Sequence, residues 1–173
     1  MLMRAVLSGV AGAMLAMTAA AGPEKVEYPA DWETTYTYVT TRDMHRGGNT
    51  IVDIFVNANA VQSGKGEGPL ASGSKIVMRG TRAKLDANGQ PIYDDKGRMI
   101  KDTATGAITV MEKRSGWGAE YPANLRNGEW EYATFAADRT RGTGSTQSCF
   151  ECHGALPEFD YVYVRAEISE LKR

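Results

Sequence analysis

From Thr34 onward the chain alternates short runs of β-branched and aromatic residues with turn-forming clusters, a rhythm that predicts strands more than helices. Thr34 to Thr41 favours a strand, although Asp31 stands where it would cap a short helix beginning at Trp32. After Gly47-Gly48-Asn49, the run Thr50 to Val56 is the clearest strand of the first half, and Asn57 to Val61 fits one helical turn before the Gly-rich loop Ser63 to Gly68. Ser74 to Leu85 reads as a strand ended by Asp86-Ala87-Asn88-Gly89, whose Asn-Gly pair signals a hairpin turn. A second turn follows at Asp94-Asp95-Lys96-Gly97. Two acidic turns invite comparison with a calcium loop, but the order of ligands and the terminal Glu of an EF-hand are missing, so turn chemistry explains them better. Ala107 to Lys113 and Glu129 to Ala136 are further strands around the loop Ser115 to Gly128, and Asp160 to Val164 reads as a last strand before a polar tail. The sum is a mainly β (α+β) fold: an antiparallel sheet with a few short helices and no internal domain boundary.

The first 21 residues break this rhythm. Arg4 is followed by the apolar run Ala5 to Met17 and the small residues Thr18-Ala19-Ala20-Ala21, the three regions of a secretory signal peptide. The apolar run is shorter than the ~20 residues a membrane-spanning helix needs. The expectation is therefore a cleaved leader, residues 1–21, and one exported domain, residues 22–173, periplasmic in a Gram-negative cell and free of the membrane after cleavage. With 20 Lys+Arg against 21 Asp+Glu, the chain lacks the basic excess of a nucleic-acid binder. Two cysteines are too few for a disulfide scaffold, so a hydrophobic core must carry the fold.

Both cysteines lie in Ser148-Cys149-Phe150-Glu151-Cys152-His153, and one of the two histidines directly follows the second. C-x-x-C-H is the attachment motif for c-type haem. Thiols three residues apart reach the two vinyl groups of one porphyrin, and the adjacent imidazole is held under the ring as an iron ligand. Covalent attachment in bacteria takes place after export, which the leader would supply. The same spacing serves thioredoxin-like pairs, but the βαβ context is absent. A zinc site from Cys149, Cys152, His153 and His45 lacks the usual second ligand pair. A disulfide here would close a very small loop and constrain little. The reading is one haem c, bound through Cys149 and Cys152 with His153 on the metal.

The motif sits near the carboxyl end of a strand-rich chain, whereas small helical cytochromes c carry it near the amino end. That arrangement resembles the cytochromes P-460 and their relatives, the cytochromes c′-beta. The likeness runs from Tyr28-Pro29-Ala30-Asp31-Trp32 through Asp53-Ile54-Phe55-Val56-Asn57, Gly73 to Met78, and Val110-Met111-Glu112-Lys113-Arg114. It continues through Gly116-Trp117-Gly118-Ala119-Glu120-Tyr121-Pro122, Asn127-Gly128-Glu129-Trp130-Glu131-Tyr132, and the Cys149 to His153 motif with Asp160-Tyr161-Val162. The resemblance implies a β-sheet haem protein, usually a homodimer, with His153 as proximal ligand and a distal face open to a small nitrogenous or diatomic ligand. The hydroxylamine-oxidising members carry a lysine on a central strand joined to the porphyrin. Met78 stands at that place here, and Lys75 has the opposite strand parity. The type without a cross-link, binding nitric oxide or a similar ligand and exchanging electrons with a redox partner, therefore fits better than a hydroxylamine oxidase.

The resemblance also places Glu112 on the strand where the enzymes hold a distal carboxylate. Two readings stand for it: a buried acid that relays protons, or an ion pair with Lys113 or Arg114. His45 reads as a solvent-exposed loop residue more than a sixth ligand. Met78 and Met111 read as apolar packing beside the cofactor, although a thioether would make a six-coordinate electron carrier. Phe55, Trp117, Tyr121, Trp130, Tyr132 and Phe135 are expected to pack the haem and the core.

Overall fold

The computed structural model describes residues 22–45, 48–122 and 125–171. The proposed leader, residues 1–21, lies outside the described residues. Five strands form one antiparallel sheet in the order of the chain: β1 (Thr37–Met44), β2 (Thr50–Val56), β3 (Lys75–Ala83), β4 (Lys101–Lys113) and β5 (Trp130–Phe135). Among the described residues four short α-helices accompany them: α1 (Trp32–Thr35), α2 (Ala58–Ser63), α3 (Gln147–His153) and α4 (Arg165–Glu170). The mainly β, antiparallel expectation is met.

Side chains alternate across a strand, so each strand feeds two layers. Val52, Ile54 and Val56 of β2, Ile76 of β3, Met111 of β4 and Trp130 and Tyr132 of β5 form one face. That face is covered by α2 and by the segment carrying α3 and α4, through Ala60, Phe150, Val162, Val164 and Ile168. The opposite face presents Val77, Ile108, Val110, Ala133 and Phe135 and is covered from the amino side by Val26, Trp32, Tyr28 and Tyr36. Burial on both faces explains why β2 reads as a near-continuous apolar run.

Asn57 caps α2: its side-chain oxygen accepts from Ala60 N at 3.1 Å and from Lys75 N at 3.0 Å, while its amide donates to the Gly73 carbonyl at 2.8 Å. The two acidic turns are built alike. Asp86 Oδ1 accepts from Asn88 N and Gln90 N at 2.8 and 2.9 Å, and Asp94 Oδ1 accepts from Lys96 N and Arg98 N, both at 2.9 Å. Gly89 and Gly97 take the left-handed step at φ 77° and 73°. Asn88 does not share the positive φ, so this is an Asx-stabilised turn and not the two-residue hairpin that Asn-Gly suggests.

Two expectations change. Thr34 and Thr35 close α1, with both hydroxyls donating to the Asp31 carbonyl at 3.0 Å, so the strand starts later than the β-branched run implies. Asp160 to Val164 is no strand. Asp160 and Tyr161 adopt left-handed φ of 53° and 62°, which ends any extended run, and α4 follows. Val162 and Val164 spend their side chains in the core and find no sheet edge to pair with.

Candidate functional site

Helix α3 carries both thiols and the imidazole within seven residues. Positions 149, 152 and 153 are related by i, i+3 and i+4, so they share one side of the helix. The helix is docked by Phe150, 5% exposed, which packs between Tyr121 and Tyr132 at ring separations of 4.7 and 4.8 Å. Buried Asn127 holds the far end: its Nδ2 donates to the Phe150 carbonyl at 3.0 Å and to the Tyr132 hydroxyl at 2.9 Å. The same Phe150 carbonyl also accepts the helix-closing bond from Gly154 N at 2.8 Å, so Asn127 is its second donor and clamps the end of α3 to β5.

Both cysteines are free thiols, Cys149 half-buried against the core and Cys152 exposed. Burial pushes the Cys149 thiol above its usual pKa. The Tyr163 hydroxyl donates to the Cys152 carbonyl at 3.0 Å and lies 3.3 Å from Sγ. His153 is half-buried between the rings of Tyr132 and Tyr163, at 5.1 and 5.3 Å. Its Nδ1 lies 2.6 Å from the Tyr161 carbonyl. A carbonyl only accepts, so Nδ1 carries the proton and Nε2 keeps its lone pair. Burial holds the His153 pKa below the usual value, which keeps the ring neutral.

The sequence-derived candidates divide between the two faces of the sheet. Met78 is on the α3 side, partly buried against the cluster that contains Tyr132 and Phe150. Together with Val52, Gly80, Arg82, Ala107 and Thr109 it lines a groove of about 300 Å³ on that face. Glu112 is on the other side. It pairs in register with Lys75, whose Nζ lies 3.0 Å from Oε2, and Arg114 Nε donates to Oε1 at 2.6 Å. Glu112 is thus both buried, at 2% exposure, and ion-paired. It is separated from Met78 and His153 by the sheet itself, because neighbouring residues of β4 point to opposite faces. The structure does not bring Glu112 to the thiols and the imidazole. Lys113, one of the partners expected for Glu112, turns to the α3 side and binds Asp160. His45 follows the end of β1 and belongs to neither core cluster. Among the described residues no group of three or more His, Cys, Asp or Glu could hold a metal ion, so the four zinc candidates do not converge.

The Cytochrome P460 family model matches residues 27–164. The chain belongs to the cytochrome P460 family. No curated protein matches it. Membership in the cytochrome P460 family implies a cytochrome that binds haem c, and the donor set of α3 fits that group: two unpaired thiols at thioether spacing and a neutral imidazole with Nε2 free of partners among the described residues. The buried indole N–H of Trp130, on the same face, also lacks a hydrogen-bond partner among the described residues.

Sequence reasoning missed three groups of this cytochrome P460 fold, two at α3 and one on the opposite face of β5. Asn127 donates its side-chain amide to a backbone carbonyl and Tyr161 supplies a backbone carbonyl, and no motif encodes either contact. Glu131 is the third. It is fully buried, accepts from the Tyr121 hydroxyl and from Tyr132 N, and is pushed by burial above the usual glutamate pKa. A carboxyl with a raised folded pKa binds more protons folded than unfolded, so stability falls as pH rises past about 4.3 and on through the folded pKa. Glu131→Gln is expected to remove that slope. Urea midpoints of the two proteins measured from pH 4 to 7 should separate progressively in favour of the variant; parallel curves would contradict the assignment.

Proposed function

We propose that this protein is an exported, periplasmic mono-haem cytochrome with the haem joined to Cys149 and Cys152, His153 as axial ligand, and a distal side open to nitric oxide or a similar small ligand. The observation that carries the reading is the 2.6 Å contact between His153 Nδ1 and the Tyr161 carbonyl, which commits one ring nitrogen to the protein and leaves the other for iron. When bound, haem c supplies a redox-active iron and a ligand site. The chain's own part is to fix the imidazole, to exclude water with Phe150 and Tyr132, and to offer Met78 as an apolar neighbour beside the groove. Electron exchange with a redox partner and assembly as a homodimer belong to the same reading.

Hydroxylamine oxidation draws less support. Lys75 and Glu112, the nearest candidates for a cross-linking lysine and a proton relay, bind each other on the opposite layer. Absorption spectra of the purified holoprotein in both redox states, with and without nitric oxide, test the proposal. High-spin ferric bands and a changed spectrum on adding nitric oxide to the reduced protein are expected. A low-spin spectrum indifferent to the gas would replace it with a six-coordinate electron carrier.

A further inference from the structure

The carbonyl that meets His153 comes from an unusual piece of backbone. Asp160 and Tyr161 are consecutive non-glycine residues in the left-handed region, φ 53° and 62°. Single residues of this kind are uncommon and an adjacent pair rarer, because Cβ crowds the following carbonyl. Such a turn persists only where its surroundings over-determine it.

The surroundings are an ion pair. Lys113 Nζ, at the end of β4, lies 2.7 and 2.9 Å from the two Asp160 carboxylate oxygens, with both side chains nearly buried at 8% and 9% exposure. Leu70 N donates to the same carboxylate at 2.8 Å. The turn is therefore fastened at once to the sheet and to the loop ahead of β3. Tyr161 N donates to the Leu156 carbonyl at 2.8 Å, and Leu156 N donates to the His153 carbonyl at 3.1 Å, which ties the turn back to the residue it serves. Pairing a lysine with an aspartate in a nearly dry site is a poor way to gain stability, since desolvation offsets much of the attraction. It is a good way to fix a conformation.

We propose that Lys113 and Asp160 are positioning residues for the iron ligand: their ion pair holds the 160–161 turn so that the Tyr161 carbonyl faces His153 Nδ1, and this sets how strongly Nε2 donates to the metal. The inference rests on the reading of His153 as axial ligand. A well-aligned Nδ1–H···O bond gives the ring partial imidazolate character and makes it a stronger donor. Freeing the turn lengthens that bond, weakens the iron–imidazole bond and favours the reduced iron.

The test uses the holoprotein and two readouts, the Fe(II)–imidazole stretching band in resonance Raman spectra and the reduction potential. The double variant Lys113→Met/Asp160→Asn removes both charges and leaves the net charge unchanged. Its band is expected at lower frequency, and its ratio of reduced to oxidised haem at a fixed poise about tenfold higher, or about 59 mV for a one-electron couple. Lys113→Arg, which keeps the pair, should restore both. Asp160→Asn alone keeps the side-chain shape and tolerates the left-handed turn but leaves the Lys113 ammonium nearly buried without its carboxylate, so it should be less stable than the double variant, and its band should move the same way. A band unmoved in the variants would overturn the proposal, whether the urea midpoint falls or not. So would potentials that shift in opposite directions in Lys113→Met and Asp160→Asn and return to native in the double variant, the signature of charge alone. A native reduced protein that is high-spin and five-coordinate yet shows no Fe(II)–imidazole band would instead overturn the axial-ligand reading.

Discussion

Replacing Cys149 and Cys152 together by Ala is expected to abolish haem retention under denaturing conditions. The wild-type chain should carry its haem through denaturing electrophoresis and show one haem of added mass, and the double variant neither. The expectation follows from the helix. The two thiols are unpaired and one turn apart on α3, and thioethers to both are the only covalent hold that the motif offers. Their surroundings differ, and so should the single variants. Cys149 is half-buried against the core, whereas Cys152 is exposed. Cys149→Ala therefore loses packing as well as one bond, and Cys152→Ala chiefly the bond. Haem that stays on the denatured double variant would refute attachment through this motif.

The second large effect is expected at Tyr132. The residue is 1% exposed, its ring meets Phe150 at 4.8 Å and His153 at 5.1 Å, and its hydroxyl accepts from Asn127. Truncation to Ala empties a site under α3 and should cost about 3–5 kcal/mol. That is a large share of the ~5–15 kcal/mol by which domains of this kind are stable. Tyr132→Phe keeps the ring and removes only the hydroxyl, so about 1 kcal/mol is expected. Urea denaturation of the holoproteins measures both. Equal losses in the two variants would mean that the hydrogen bond, and not the ring, secures the helix.

The sheet was legible because its signals are local. Thr50 to Val56 matches β2 residue for residue, and Lys75, Met78 and Glu112 obey the parity that period-two alternation demands. Parity was also where the reasoning on Glu112 could have gone further. Met111 and Glu112 are adjacent on one strand, so both could not face the same layer. The C-x-x-C-H motif was equally open to reading, since its expected chemistry rests on three side chains of two types at fixed spacing. What lay beyond reach depends on contacts between distant segments. Asp160 to Val164 has strand composition, yet Lys113, 47 residues earlier, holds Asp160 in a turn. The Tyr161 carbonyl is a backbone atom with no signature in the side-chain alphabet. Asn127 acquires its role only after α3 folds back over β5, and Glu131 only when Tyr121 reaches it from the loop ahead of that strand.

The strict succession of strands has a bearing on how the protein comes to be made. Every strand pairs with its neighbour in the chain, so little entropy is surrendered before the first pairings form. The thiols come after the fifth strand, so in a chain delivered amino end first all five strands precede the motif, and only the cover of one face, from Phe150 to Ile168, arrives with it. On the proposed reading, maturation would resemble fastening a clasp onto a frame whose strands are already joined: the porphyrin would be stitched to a late, short flap laid over the paired strands.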